Sequence, residues 1–236
     1  MAALERAGAA ASSGAMDRAL IIGASGGIGS AVSAELSRRG VEVTGLSRSS
    51  DGLDVTDDAS VERHLSALEG PFDLVFCATG ALEIDGAAPE KTIKRLEPEA
   101  MLAQLRLNAI GPALVLKHAI RLVPRASPAV MATLSARVGS IGDNAIGGWY
   151  SYRTAKAAVN QVIRSAAIEF GRSHRHLACV ALHPGTVETA FTEKYADSHP
   201  TVDAGTAARR LVDVMEGLTA DHTGRFFDYA FKEIPW

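Results

Sequence analysis

A tyrosine and a lysine that could carry out proton transfer stand four residues apart, at Tyr152 and Lys156. Residues at this spacing share one face of a helix. A phenol has a pKa of about 10 and is a poor base at neutral pH, but a nearby ammonium stabilises the phenolate and lowers that pKa. Tyr152 could then exchange a proton with a carbonyl or alcohol oxygen. The same spacing occurs by chance on helices that only pack, so the surrounding sequence must decide between the two interpretations.

A second candidate is a glycine-rich turn that directly follows the first predicted strand. Glycines let the backbone turn sharply and approach a pyrophosphate closely, and a helix N-terminus offers N–H groups to that anion. A glycine cluster alone also makes ordinary tight turns. Here the turn lies between a predicted strand and a predicted helix, which indicates a dinucleotide site. Its candidate residues are Gly23, Ser25, Gly26, Gly27, Ile28 and Gly29.

An arginine at the end of the second predicted strand bears on which dinucleotide binds. An acidic residue there favours NAD by bonding the ribose 2′-OH, whereas a cation accommodates the 2′-phosphate of NADP. The predicted strand ends at Leu46 and is followed by Ser47 and Arg48. The planar guanidinium of Arg48 suits a phosphate. Ser25 or Ser47 could add a hydroxyl. A solvated surface arginine is the alternative, but the position favours NADP(H) over NAD(H).

The elements that must position these residues alternate between short apolar runs and longer segments of helical period. This pattern is typical of an α/β fold with a Rossmann-type, doubly wound parallel β-sheet flanked by helices on both faces. We expect a single domain over residues 17–236 and a flexible N-terminal extension over residues 1–16. The predicted strands are 19–22, 42–46, 74–77, 129–134, 176–182 and 224–227, and the predicted helices are 27–39, 58–68, 98–123, 150–170 and 204–218.

Composition and charge narrow the possible functions. The 236 residues include 24 basic and 27 acidic side chains spread along the chain, with a formal net charge of -3, and we expect no nucleic-acid partner. No apolar run reaches the ~20 residues of a membrane-spanning helix, and we expect no membrane partner.

Cys77 and Cys179 lie in predicted buried strands, which fits a reduced, cytoplasmic protein. His174 and His176 have no acidic or cysteine residues clustered locally, and we expect no metal.

Three motifs together carry a resemblance to a known family. They are the glycine spacing G-x-x-x-G-x-G, the pair Tyr152-x-x-x-Lys156, and a later loop at Pro184 and Gly185. In these features the chain resembles the short-chain dehydrogenase/reductase family. Residues 147–153, the His-Pro-Gly loop and the aromatic C-terminal end look like its C-factor and carbonyl-reductase-like branch. The resemblance implies an NADPH-dependent oxidoreductase acting on a small carbonyl or alcohol substrate, as a homodimer or homotetramer.

The resemblance also assigns roles to residues that spacing alone does not single out. Asn108 would anchor a water in a proton relay, although it could instead be a polar residue at a helix kink ahead of Pro112. Tyr152 and Lys156 would contact the cofactor in addition to their catalytic roles, Tyr152 as acid and base and Lys156 as its electrostatic partner. The remaining cofactor contacts would be Asp54 and Val55 at the adenine, Ala78, Thr79 and Gly80 after the third strand, and Pro184, Gly185, Val187 and Thr189 at the nicotinamide. Asp54 could equally form a turn, and a Pro-Gly turn is often only structural.

The chain departs from the family pattern after the fourth predicted strand. Relatives have two adjacent serines before a similar glycine, and the second orients the substrate oxygen. Counted from Gly139, that second position is Ala136, so Ser135 becomes the candidate donor with Ser140 in reserve. A shift of one residue along a strand reverses the side-chain direction, and loss of such a donor costs roughly two to three orders of magnitude in rate. A cofactor-bound regulatory or interaction module with little turnover is therefore the alternative to an enzyme.

Overall fold

Parallel strands build one sheet in the computed structural model, which describes residues 16–188 and 201–236. Neighbouring strands all pair in parallel, in the order β2-β1-β3-β4-β5-β6. The chain runs from β1 to β2 on one side and returns past β1 to β3, which makes a switch point between β1 and β3. The predicted Rossmann-type sheet is thus confirmed. The six strands of the described residues are β1 (Arg18–Ile22), β2 (Glu42–Leu46), β3 (Leu74–Cys77), β4 (Ala129–Leu134), β5 (Leu177–His183) and β6 (Phe226–Asp228).

Helices connect the strands, and one predicted helix is divided. The segment predicted as a helix over 98–123 contains a π-type turn, Arg106–Ile110, and ends in a 3-10 turn, Ile120–Leu122. Pro112 is the second residue of the helix after the π-type turn, and its missing N–H prevents a continuous α-helical ladder. The helices of the described residues are α1 (Gly27–Arg38), α2 (Arg48–Asp51), α3 (Asp58–Ser66), α4 (Pro98–Leu105), α5 (Gly111–Ala119), α6 (Tyr150–Phe170) and α7 (Ala204–Gly217).

The core lies on both faces of the sheet. Strands β1, β3, β4 and β5 consist almost wholly of buried apolar residues, as expected for strands covered by helices on both sides. One face packs mainly against α3, α5 and α6, and the other packs against α1 and α7. Among the helices of the described residues, none has the length and apolar character that crossing a membrane requires.

Candidate active site

The carboxyl ends of the six described strands lie at one edge of the sheet because the strands are parallel. The connections that leave this edge are the glycine turn after β1, the start of α2 after β2, and the longer loops after β3, β4 and β5. Open α/β sheets bind their ligands at this edge, beside the switch point. The fold therefore brings candidate residues that are distant in sequence to one side of the molecule.

The glycine turn has the geometry that close approach by a dinucleotide requires. Gly23 has a φ of +90°, and a Cβ at Gly29 would lie only 2.2 Å from the Gly23 carbonyl oxygen. Helix α1 begins directly after Gly26 with no side-chain cap and no acidic residue in its first turn, while Ile28 packs on the core. Its first N–H groups, beside the exposed Ser25, remain for an anion. These residues fit a bound pyrophosphate.

Arg48 is exposed at the start of α2, directly after β2. This is the position at which an adenosine 2′-phosphate would meet a cation. Ser47 was considered as a second partner of the phosphate, but its buried hydroxyl accepts a hydrogen bond from the Ser50 N–H at 3.2 Å. The same hydroxyl lies 3.3 Å from an Asp51 carboxylate oxygen. Ser47 therefore caps α2, and the contact of Arg48 with a 2′-phosphate stays a prediction.

Asp54 stabilises a turn, and Val55 packs in the core. Asp54 Oδ1 accepts from the N–H and the hydroxyl of Thr56, both at 2.8 Å. These two bonds, and more weakly the charge of Arg48, hold the pKa of Asp54 below its usual value. Val55 is buried against Gly111, where a Cβ would lie 3.0 Å from Val55 Cγ2. The turn-forming alternative thus describes the bonds of Asp54, and the adenine contact stays a prediction.

Tyr152 and Lys156 lie together on the buried face of α6, with 5% and 3% of their surfaces exposed. Lys156 Nζ donates to the Leu134 carbonyl oxygen at 3.2 Å and lies 5.7 Å from the centre of the Tyr152 ring. Burial raises the pKa of Tyr152 and lowers the pKa of Lys156 to about 8. The pKa of the phenol is therefore not lowered in the protein alone, contrary to our expectation, because desolvation of the phenol dominates.

Two glycines leave room for buried polar side chains of the site. A Cβ at Gly80, whose φ is +149°, would lie 2.6 Å from Asn108 Oδ1 and 3.4 Å from Lys156 Nζ, and a Cβ at Gly139 would lie 2.7 Å from Lys156 Cβ. Ala78 and Thr79, which precede Gly80, are half-buried at the same edge of the sheet. The loops after β3 and β4 therefore both close around Lys156. The importance of Gly139 for packing on α6 had no separate signal in the sequence.

Asn108 is fully buried in the π-type turn and connects it to the loop after β3. Its Oδ1 accepts from the Ala81 N–H at 3.2 Å, and its Nδ2 donates to the Ala81 carbonyl at 2.9 Å and to Gln104 Oε1 at 2.7 Å. Gln104 in turn donates to the Leu82 carbonyl at 2.8 Å. Sequence analysis missed Gln104, whose only signal is an amide within an apolar helix. The side chain of Asn108 thus supports the loop, and its relay water stays a prediction.

Ser135 directs its hydroxyl into the core. The hydroxyl donates to Asn160 Oδ1 at 2.6 Å, and Asn160 Nδ2 donates to the Gly139 carbonyl at 3.3 Å. Asn160 therefore holds the loop after β4 one turn beyond Lys156 on α6. Ala136 has an extended backbone and is partly exposed, and in an extended chain it points away from the direction of Ser135. This geometry opposes the substrate-oxygen role predicted for Ser135.

The rest of the loop after β4 is tied to the C-terminal segment. The hydroxyl of Ser140 donates to the Pro235 carbonyl at 2.5 Å, and the Gly142 N–H donates to the Trp236 carbonyl at 3.0 Å. The Trp236 ring stacks on Phe226 with ring centres 5.8 Å apart. Ser140, the reserve donor, is therefore engaged in holding the loop, and the terminal aromatic residue serves packing.

The Pro-Gly loop leaves β5 at the same edge. Pro184 and Gly185 are half-buried, and a Cβ at Gly185 would lie 2.9 Å from a neighbouring aromatic ring. Val187 is buried and forms an isolated parallel bridge with the segment before α7. Among the residues that the structure describes, none is a hydrogen-bond partner of the buried His183 Nδ1. Burial lowers the pKa of His183 to about 4, so the ring is neutral at pH 7. Thr189, the other residue predicted here, lies outside the described residues.

Comparisons with known proteins agree with this architecture. Residues 23–217 match the family model described as Enoyl-(Acyl carrier protein) reductase. The chain is 30% identical to 1-hydroxy-2-glutathionyl-2-methyl-3-butene dehydrogenase of Rhodococcus sp. (strain AD45), over 89% of this chain and 96% of that protein. It is 34% identical to C-signal of Myxococcus xanthus, over 58% of this chain and 78% of that protein. NADPH-bound carbonyl reductase from chicken fatty liver shares the fold, with a TM-score of 0.77 and 22% identity over 94% of each chain.

The parallel sheet is thus shared with a solved structure, and most of the chain matches one family model. The chain belongs to the short-chain dehydrogenase/reductase family, and it is an oxidoreductase. Its relatives include a C-signal protein, which confirms the predicted resemblance to the C-factor branch.

Proposed function

We propose that the protein is an NADP(H)-dependent enzyme that transfers hydride reversibly between the nicotinamide and a small carbonyl or alcohol substrate. The observation that carries the proposal is the buried pair of Tyr152 and Lys156 at the sheet edge that also holds the uncapped start of α1. The nicotinamide would supply or accept the hydride when bound. The described residues proposed to hold the cofactor are Gly23, Ser25, Gly26, Gly27, Ile28, Gly29, Arg48, Asp54, Val55, Ala78, Thr79, Gly80, Tyr152, Lys156, Pro184, Gly185 and Val187.

Tyr152 would exchange the proton with the substrate oxygen. Because burial raises the pKa of Tyr152, the phenol holds its proton at neutral pH and is ready to donate it as a carbonyl is reduced. Lys156, with a pKa lowered to about 8, is still mostly an ammonium at pH 7 and would stabilise the phenolate that remains. Asn108 would anchor the water that returns the proton, while its side chain holds the loop after β3.

A second candidate function is an NADP(H)-binding regulatory or interaction module with little turnover. The specific observation that favours it is the bond from the Ser135 hydroxyl to Asn160, which leaves Ala136 at the position where a donor to the substrate would stand. Removal of such a donor typically slows related reactions by about 100-fold or more. Both candidates require a cofactor site, and only the enzyme requires proton transfer by Tyr152.

The two candidates separate in an assay of NADPH oxidation against a panel of aldehydes, ketones, quinones and diketones. We expect Tyr152→Phe to reduce kcat by at least about 100-fold, because the proton donor is lost, with little change in NADPH affinity. Tyr150→Phe is the matched control, since it removes a half-buried hydroxyl from the same helical turn, and it should keep wild-type turnover. Full turnover in Tyr152→Phe would defeat the proposed mechanism, and tight NADPH binding without turnover on any substrate would favour the regulatory module.

A further inference from the structure

Glu90, in the loop between β3 and α4, is a buried acid that sequence analysis did not identify. Only 8% of its surface is exposed, and it takes part in none of the ion pairs found among residues 16–188 and 201–236. One carboxylate oxygen accepts from the Ser151 hydroxyl and the other accepts from the Ser151 N–H at 3.1 Å. The Glu90 carbonyl oxygen also accepts from the Trp149 N–H at 2.6 Å. Three hydrogen bonds therefore join Glu90 to the beginning of α6.

The beginning of α6 needs such a partner. The first N–H groups of any helix have no acceptor within the helix, and a Ser, Thr, Asp or Asn at the N-cap normally accepts from one of them. In α6 the N-cap is Trp149, which has a φ of +52° and makes no side-chain cap bond. Glu90 supplies the missing acceptor from a different loop, and its carboxylate also lies at the end of the helix that favours negative charge.

The same contact places Glu90 close to Tyr152. Ser151 directly precedes Tyr152, and a small cavity of about 10 Å³ is lined by Glu90, Ser151, Tyr152 and Gln104 among others. This is close to the smallest volume that holds one water. Nearer to β3, the same loop is held at Ala81 by the bonds to Asn108. Two points of the loop are thus anchored to helical segments that carry proposed catalytic residues.

We propose that Glu90 is a positioning residue for Tyr152. Its carboxylate fixes the first turn of α6 through Ser151, and that turn sets where the phenol meets the substrate oxygen. The proposal rests on the proposed function of Tyr152 as proton donor. A misplacement of about 1 Å can cost about 100-fold in rate even when the change lies outside the reacting groups. The expected effect of losing Glu90 is therefore on kcat, with the cofactor site left intact.

The test compares steady-state kinetics and NADPH dissociation constants of the full chain. For Glu90→Ala we expect kcat to fall about 10-fold to 100-fold while NADPH affinity and KM change less than about threefold. Glu90→Gln should lose less, because its amide oxygen still accepts one bond from Ser151. Since Glu90 acts through Ser151, the loss in Glu90→Gln with Ser151→Ala should be smaller than the two single losses combined. Asp85→Asn, the same chemical change at an exposed position of the same loop, should match the wild type.

The outcomes separate this inference from the function it rests on. Wild-type kcat in both Glu90 variants would overturn the inference, and so would a parallel loss of NADPH affinity, which would indicate general support of the fold. If Glu90→Ala does not fold, Glu90→Gln decides by the same criteria. Tyr152→Phe in the same assay addresses the function alone: if it keeps full turnover, the proton-donor role fails whatever the Glu90 variants show.

Discussion

Two regions at the carboxyl edge of the sheet are built in different ways: the cofactor side around the glycine turn and the catalytic side around Tyr152. At the glycine turn, backbone meets backbone: a Cβ at Gly29 would lie 2.2 Å from the Gly23 carbonyl oxygen. Around Tyr152 the shape depends on side chains that bridge distant segments, such as Glu90 to the start of α6 and Ser135 to Asn160. The cofactor side is therefore determined within a short stretch of sequence, whereas the catalytic side depends on contacts that form only in the folded protein.

The largest effect is expected from a substitution at Gly29, where the backbone of the cofactor side is most tightly packed. In Gly29→Ala the new Cβ meets a main-chain carbonyl that cannot move away, so we expect a loss of about 3 kcal/mol in the free energy of unfolding together with loss of NADPH binding. Gly26→Ala is the matched control for stability in the same turn, because its Cβ would have its nearest neighbour at 3.4 Å. Urea unfolding compares the stability of the two variants, and NADPH fluorescence titration measures cofactor binding by Gly29→Ala. Equal stability of the two variants would show that the turn tolerates side chains.

A smaller effect tests whether the cofactor side selects NADP(H) through a single cation. Arg48→Ala should weaken NADPH binding about 10-fold to 100-fold, because a charge-assisted bond to the 2′-phosphate is lost, and should leave NADH binding nearly unchanged. Arg172→Ala removes an exposed arginine beyond the end of α6, at the opposite edge of the sheet, and should change neither affinity. NADPH affinity that is unaffected by Arg48→Ala would contradict the cofactor preference.

The difference between the cofactor side and the catalytic side also explains how much of the fold and of the site could be predicted from the sequence. The predicted strand 129–134 and helix 150–170 coincide with β4 and α6, because an apolar run and a helical period are local signals. The helix predicted over 98–123 is interrupted in its middle, where a kink ahead of Pro112 was one of the two interpretations of Asn108. The π-type turn there depends on the Asn108 amide reaching Ala81 across the fold and on Pro112, and hydrophobic periodicity carries no information about such a contact.

On the catalytic side, the sequence predicted the reactive residues but not the residues that hold them in place. The spacing of Tyr152 and Lys156 placed both on the buried face of α6, yet the pKa direction expected for the phenol was reversed by burial. Burial depends on how the loop after β3 covers the helix. Glu90 and Gln104 gave no recognisable spacing, since each bonds a residue far away in the chain, Glu90 at Ser151 and Gln104 at Leu82. Local motifs therefore identify reactive groups, and packing decides their state.

The smallest effect is expected at Ser135, the serine that follows β4. Ser135→Ala removes the donor to Asn160 and should lower the free energy of unfolding by about 1 kcal/mol, while kcat changes less than about threefold, because the hydroxyl faces the core. An exposed serine on α1, changed as Ser37→Ala, should alter neither quantity.

If Ser135 instead orients the substrate oxygen, kcat falls by about 100-fold with little loss of stability, and the two results cannot be confused. Ala136→Ser supplies the complementary change, because its hydroxyl would leave the extended chain on the opposite side. A higher kcat in Ala136→Ser combined with an unchanged kcat in Ser135→Ala would mean that the fold uses the native serine only for shape. The donor to the substrate would then be the one component of the catalytic side that this chain lacks, and slow turnover would follow from that absence alone.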